Sequence, residues 1–349
     1  MPKPRRVSQQ SIAKELGVSQ ALVSLTLNGQ SERINPQTYK KIWDYAISAG
    51  YQPKGIKIEN SPSDTRTRQI GVIMRAGVQV HTQGSYFSHV YHGINSSALD
   101  AGFTTSILGS EDSLDDERLA RFFGPGHAIK GIILMGQVSE EFLTLLQRHS
   151  RRIVAVSARH AGFCHSIIGN EPEALKSTVT HLHDLGHKRI GWLGGNFGLS
   201  RHETRFNGFK SSLANLGLKH NPRYDVLRKE GDRAEGNEAM LSIIPGIKRP
   251  DFPTAFVTYN ISMAIGAIRA LQHAGYHVPA DCSIAAADFS ETAKKYTPRI
   301  TSAGCDPLDL GSRAAAMITD QQLGSSEGIF SDLVLASKLH IGESTASVD

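Results

Sequence analysis

From Gln69 onward the chain alternates short apolar runs of β character with amphipathic stretches of helical period, and the alternation starts over partway along. Apolar runs at 70–74, 103–108, 132–135 and 153–156 are separated by helical patterns at 86–101, 114–123 and 140–149. The pattern resumes with a helix over 173–185, then strands at 189–193, 255–258 and 283–287 and helices at 201–216 and 263–274. Such alternation predicts parallel sheets covered by helices on both faces, in two copies. Ligands in these folds bind beyond the carboxyl ends of the strands, so the space between two facing lobes is the expected site.

The first fifty residues follow a different rule. Ser8 is a good N-cap for a helix carrying Ile12, Ala13 and Leu16 on one face and stopping at Gly17. A second helix opens at Ser19 and runs to Leu27, with Leu22, Val23 and Leu27 inward and Gln20, Ala21, Ser24 and Leu25 outward. A third has Asn35 as N-cap and Pro36 at its first position, then Tyr39, Ile42, Trp43, Ala46 and Ile47 at helical spacing. Two short helices joined through Glu15-Leu16-Gly17-Val18-Ser19 make a helix-turn-helix in outline.

Charge divides the chain at the same place. Residues 1–57 hold nine Lys and Arg against three acids, while the remainder is close to balance within a formal net charge of +5. A small basic module joined to a larger neutral one suggests that the first meets a polyanion. Residues 54–69 are polar and interrupted by Gly55 and Pro62, as a linker should be. The basic N-terminus has no apolar stretch behind it and no apolar run approaches a membrane span, so no secretory signal or membrane partner is expected, and the cytoplasm is the expected compartment. Cys164, Cys282 and Cys305 lie far apart, which argues against a thiolate metal site or a disulfide framework.

Several weaker patterns have plainer explanations. Gly194-Gly195-Asn196-Phe197-Gly198 lacks the Lys-Ser/Thr of a phosphate loop and reads as a turn. His181 and His183 would face different sides of a helix, so with His187 they read as solvated surface rather than a metal cluster. No nucleophile elbow, His-Glu-x-x-His or Walker lysine occurs, so no catalytic residue, metal or cofactor is expected.

The run from Val7 to Pro53 resembles the headpiece of the lactose-repressor/galactose-repressor (LacI/GalR) family: Ile12-Ala13, Gly17-Val18-Ser19, Val23-Ser24, Leu27-Asn28-Gly29, Ile34-Asn35-Pro36-Gln37-Thr38 and Ala49-Gly50-Tyr51-Gln52-Pro53. The resemblance continues through Gly186-His187-Lys188-Arg189-Ile190-Gly191-Trp192, Arg205-Phe206-Asn207-Gly208-Phe209 and Pro298-Arg299-Ile300-Thr301. It implies an all-α helix-turn-helix headpiece over 1–53, a hinge over 54–68, and an α/β two-lobed, periplasmic-binding-protein-like sensor domain over 69–349. The first lobe would hold about 69–164 and 299–329, the second about 165–298 and 330–349, with three crossovers near 164, 298 and 330.

The implied function is a sequence-specific transcription regulator, most often a repressor, associated with the nucleoid. It would bind a pseudo-palindromic double-stranded DNA operator as a homodimer, under allosteric control by a small polar, sugar-like effector. The resemblance makes Gln20, Ala21 and Leu25 the base-reading positions, with Ser24 and Asn28 as backbone or edge contacts and Ser19 at a phosphate. Gln20 can pair with adenine, whereas Ala21 and Leu25 offer apolar contact, and Leu25 stands where many relatives carry Arg; simple packing of Leu25 stays open. The family's hinge inserts an apolar wedge into the minor groove; here Asn60 falls where Leu is usual, leaving Ile56 and Ile58 as candidates and insertion itself open.

For the effector, the resemblance implies an aromatic contact among Ser85, Tyr86 and Phe87, and an arginine contact from Arg205. Packing of Phe87 and a salt bridge of Arg205 between the lobes are the alternatives. It further implies Ser157, Asn260 and Asp288, a set less acidic than the family's usual sugar site. Two rival readings are a cytoplasmic α/β enzyme acting on a sugar or nucleotide, with the N-terminal helices as an oligomerisation arm, and a solute-binding protein for a transporter. The missing catalytic motifs oppose the first, and the basic headpiece without a secretory signal opposes the second.

Overall fold

A computed structural model describes residues 8–27, 34–49, 68–77, 86–123, 128–320 and 328–348. The chain divides into two units, 1–65 and 66–349.

In the first unit, α1 (Gln9–Leu16), α2 (Gln20–Leu27) and α3 (Pro36–Ser48) enclose Ile12, Ala13, Val23, Ile42 and Ala46. The expected caps are in place. The Ser8 hydroxyl accepts from Ser11 N, and Gly17 turns left-handed at φ 65° so that its N–H reaches Ala13 O. Ser19 Oγ accepts from Leu22 N, and Asn35 Oδ1 from Gln37 N. Leu22 and Leu27 are only half-buried, and Thr26 takes the inward position beside Val23, its hydroxyl satisfied by Leu22 O at 2.8 Å.

The second unit contains two six-stranded sheets. Its chain order is β1 (Arg68–Met74), α4 (Tyr86–Asp100), β2 (Phe103–Ser110), α5 (Asp116–Ala120), β3 (Ile129–Met135), α6 (Glu140–His149), β4 (Ile153–Val156) and β5 (His165–Gly169), which build the first lobe. There follow α7 (Glu171–Asp184), β6 (Ile190–Gly194), α8 (Ser200–Asn215), β7 (Asp225–Leu227), α9 (Arg233–Ile243), β8 (Ala255–Thr258), α10 (Ile261–His273), β9 (Ser283–Ala286), α11 (Glu291–Lys295) and β10 (Thr301–Gly304) in the second. Then α12 (Pro307–Thr319) and β11 (Asp332–Leu335) return to the first lobe, and β12 (Lys338–His340) to the second.

Both sheets share one strand order, β2-β1-β3-β4-β5-β11 and β7-β6-β8-β9-β10-β12. The first is parallel throughout; in the second, β12 alone among the described strands runs antiparallel to its neighbour, β10. Strands buried on both faces explain the continuous apolar runs: β3, β4, β6 and β8 have no exposed side chain beyond Lys130 at the start of β3.

The chain crosses between lobes three times, after Gly169, Gly304 and Leu335. These positions correct the expected 164, 298 and 330. In each case a strand continues past the anticipated point: His165–Ile167 pair with β4, Thr301 and Ser302 with β9, and 332–335 with β5. Among the described residues no helix is long and apolar enough to cross a membrane.

Helix α12 is held against α4 by glycines. A Cβ on Gly93 would lie 2.1 Å from Leu308 O, and one on Gly311 2.0 Å from Val90 O, so the helices touch backbone to backbone. The pair covers one face of the first sheet, with Val90, Ile94, Leu310, Ala314 and Ile318 against Ile70 and Val72.

Candidate functional site

A cleft of about 640 Å³ lies between the lobes. Every segment that lines it follows the C-terminal end of a strand, as open α/β sheets require. Arg75 ends β1, Tyr86 and Phe87 open α4, Gln137 follows β3 and Ser157 follows β4. From the second lobe come Asn196 after β6, Arg201 at the start of α8, the loop 230–234, Tyr259 and Asn260 after β8, and Asp288 after β9. Among the described residues only Ser157 (φ 62°) and Asn196 (φ 53°) hold a left-handed backbone without being glycine, and both line this cleft. Backbone strain of about 1–3 kcal/mol is retained where surrounding structure enforces it, commonly at ligand sites.

Polar contacts cross from lobe to lobe. Arg75 Nη2 donates to Asn196 Oδ1 at 3.0 Å, and Arg201 Nη2 to Tyr86 OH at 3.1 Å. Gln137 Oε1 accepts from Ser200 N at 2.9 Å and from its hydroxyl at 2.7 Å. Tyr86 OH also lies 2.9 Å from Ser157 Oγ, and the Arg201 guanidinium sits 4.9 Å from the Tyr86 ring centroid. Tyr86 meets Phe87 edge to face at 5.3 Å.

Behind the second-lobe wall is a buried carboxylate and guanidinium group. Glu171, at the start of α7, accepts from Arg201 Nε at 2.7 Å through Oε1 and from Arg205 Nε through Oε2. Burial pushes the Glu171 carboxyl up, but Arg201 and Arg205 outweigh it and hold the group below its ordinary range. Arg205 is 1% exposed, its Nη1 donates to Tyr259 O, and it does not line the cleft. The structure thus corrects the expectation that Arg205 meets the ligand: its fork is consumed within the second lobe, and it does not bridge the lobes. Arg201, one turn nearer the helix start, is the arginine that faces the cavity.

Tyr86, Phe87, Ser157, Asn260 and Asp288 line the cleft. Asn260 also caps α10: Oδ1 accepts from Met263 N and Nδ2 donates to Gly231 O, both at 2.8 Å. Asp288 Oδ1 accepts from Ile261 N at 2.8 Å, and burial raises its pKa against the pull of Arg205 and Arg201. Ser85 lies outside the described residues. Sequence reasoning missed Arg75, Gln137, Asn196, Arg201 and Tyr259; all follow strand ends, and that position was the available signal.

In the headpiece, Gln20 and Ala21 are exposed and Leu25 is 43% exposed, so Leu25 does not simply pack. Ser24 is half-buried and has a polar partner, and Ser19 caps the helix. Asn28, Ile56 and Ile58 lie outside the described residues. The histidines expected at the surface are partly inside: His187 is 3% exposed, with Nδ1 2.8 Å from Thr254 Oγ1 and Nε2 3.0 Å from Ala346 O. Among the described residues no group of His, Cys, Asp and Glu could hold a metal ion.

The chain thus holds a three-helix N-terminal unit and a two-lobed α/β domain with a polar cleft. A family model described as periplasmic binding protein-like domain matches residues 179–345. The HTH-type transcriptional repressor PurR of Aliivibrio salmonicida (strain LFI1238) is 25% identical over 313 residues, covering 89% of this chain and 90% of that protein. PurR of Haemophilus influenzae (strain PittEE) is 24% identical over 341 residues, covering 97% and 98%. The transcriptional regulator CelR in complex with cellobiose shares the fold at a TM-score of 0.69 and 20% identity, covering 97% of this chain and 100% of that one. The lac repressor dimer bound to operator and the anti-inducer ONPF does so at 0.66 and 20%, covering 98% and 100%. Over nearly its whole length the chain is thus similar to HTH-type transcriptional repressors in sequence and to LacI-type regulators in fold.

Proposed function

We propose that this chain is a repressor whose headpiece, 1–53, reads one half-site of a pseudo-palindromic operator, with Gln20, Ala21 and Leu25 toward the bases. Two copies supply two half-sites, so a homodimer is the working unit. Residues 54–68 act as the hinge and 69–349 as the effector-binding and dimerisation domain. A chain working on chromosomal DNA acts in the cytoplasm, at the nucleoid.

The observation that carries the effector reading is the convergence of polar groups from both lobes on one cavity. Tyr86 and Phe87 offer an aromatic wall, Ser157 and Asp288 offer partners for hydroxyls, and Arg201, fixed by Glu171, offers a donor fork. PurR's name and the CelR complex describe those proteins; here they support a small polar, sugar-like effector. A ligand that closes or opens the cleft changes the spacing of the two headpieces, with a coupling of about 1–3 kcal/mol in typical allosteric systems.

Selection and sequencing of genomic fragments bound by the full chain at near-physiological salt tests the DNA half. A palindrome enriched by the native chain and altered by Gln20→Ala is expected; sequence-indifferent binding overturns it. Adding a metabolite extract to the operator complex tests the cleft half, because any change in affinity should vanish in Asp288→Asn. A response unchanged in that variant locates the effector elsewhere.

A further inference from the structure

Not every charge at the cleft has an ion-pair partner among the described residues. Arg75, Arg201 and Arg205 stand in or directly behind its wall with the carboxylates Glu171 and Asp288, and Glu230, Asp232 and Arg233 line it further out. Glu171 takes both Arg201 and Arg205. Among the described residues Arg75 has no ion-pair partner, and its hydrogen bond goes to a neutral acceptor, Asn196 Oδ1. Asp288 spends one oxygen on Ile261 N. Glu230, exposed on the loop before α9, acts on Arg75 through its charge without forming an ion pair.

The chain makes room for this guanidinium. Gly136, at φ 92°, lies where a Cβ would stand 2.9 Å from Arg75 Cδ, so the arginine stem runs along bare backbone into the cavity. Desolvation by burial lowers the Arg75 pKa, the mark of a charge removed from water without full compensation. A charge so placed costs free energy until it meets an opposite one, and the planar fork of arginine matches carboxylate and phosphate oxygens.

We infer that the effector carries an anionic group, a phosphate monoester or a carboxylate, and that Arg75 is the residue that pairs with it. This rests on the reading of the cleft as the effector site.

The test is the thermal midpoint of the full chain titrated with inorganic phosphate, ionic strength being held constant with chloride. The native chain should show a saturable rise. Arg75→Gln should need about tenfold more phosphate or worse, since a charge-assisted hydrogen bond counts for about a decade in affinity. Asn196→Gly, which removes the acceptor while keeping a backbone at ease at φ 53°, should saturate at no higher phosphate than the native chain does. No saturable rise, or equal saturation in Arg75→Gln, means an adventitious ion only and overturns the inference. Should Arg75→Gln fail to fold, Arg75→Lys carries the test, because it keeps the charge without the fork; weaker saturation supports the inference and equal saturation overturns it. A neutral hexose that protects the chain and changes operator affinity while phosphate does neither would remove the anionic group and leave the cleft reading standing. The Asp288→Asn experiment above judges that reading separately.

Discussion

Gln137 of the first lobe accepts two hydrogen bonds from Ser200 of the second, one from its backbone N–H at 2.9 Å and one from its hydroxyl at 2.7 Å. The first residue before α8, Leu199, has no side chain able to cap the helix, so the cap comes from across the cleft. Opening the lobes therefore uncaps α8. Gln137→Ala should remove two hydrogen bonds of about 0.5–1.5 kcal/mol each from the closed arrangement, shifting the open-closed balance by about tenfold. Inter-lobe distances from paired spin labels would register the shift; an unchanged distribution would mean that this contact does not hold the cleft closed.

The two arginines on α8 should separate cleanly on substitution. Arg205→Ala strips a partner from buried Glu171, and breaking such a pair costs about 3–5 kcal/mol, read by urea unfolding. Arg201→Ala leaves Glu171 its Arg205 and should cost less, while abolishing the response to effector. Equal stability losses would deny the division of labour.

On the headpiece, Gln20→Ala should cost about 1–3 kcal/mol at one base pair of each half-site and relax the preference there. Leu25→Arg places a guanidinium on the same exposed face, and selected sites should then gain guanine at the neighbouring position. Identical selected sequences for native and variant chains would show that α2 does not read bases.

Acid should loosen the C-terminal segment. Burial lowers the His187 pKa below its ordinary 6.5, so between that folded value and 6.5 the native state binds fewer protons than the unfolded chain. The stabilisation is present above about pH 6.5 and is lost as pH falls, because protonation puts a second N–H against Thr254 while Nε2 already serves Ala346 O. His187→Gln should be less stable at pH 7.5 and flatter in its pH dependence. A parallel curve would exonerate His187, leaving His160, His165, His181 and His340, also lowered by burial, as sources of the slope.

Gly93→Ala and Gly311→Ala should each destabilise by about 1–3 kcal/mol or more through forced separation of α4 and α12, with thermal unfolding as the measure. Wild-type stability in both would mean that the helices shift apart freely.

The alternation of strands and helices was readable because strands buried on both faces are apolar along nearly all their length, as Ile132–Met135 and Ala255–Val257 are. Short edge elements gave no such signal: Asp225–Leu227 is half-buried, and 332–334 are exposed. Their place is set by pairing partners far along the chain. At the cleft, resemblance located Tyr86, Ser157, Asn260 and Asp288, yet it could not tell which of two arginines one helical turn apart faces the cavity. That depends on Glu171, thirty residues before Arg201 and thirty-four before Arg205, which draws both guanidiniums but buries only the deeper one.

The return of α12 and β11 to the first lobe has a consequence for how the molecule comes into being. During synthesis the first five strands emerge early, but the helix that seals Ile70 and Val72 and the strand that borders β5 arrive only after the whole second lobe has been made. The nascent first lobe must wait with an apolar face uncovered, and a ribosome stalled before residue 305 would present that face to chaperones and proteases. Loss of the last fifty residues would therefore unmake the part of the sensor domain that is translated first.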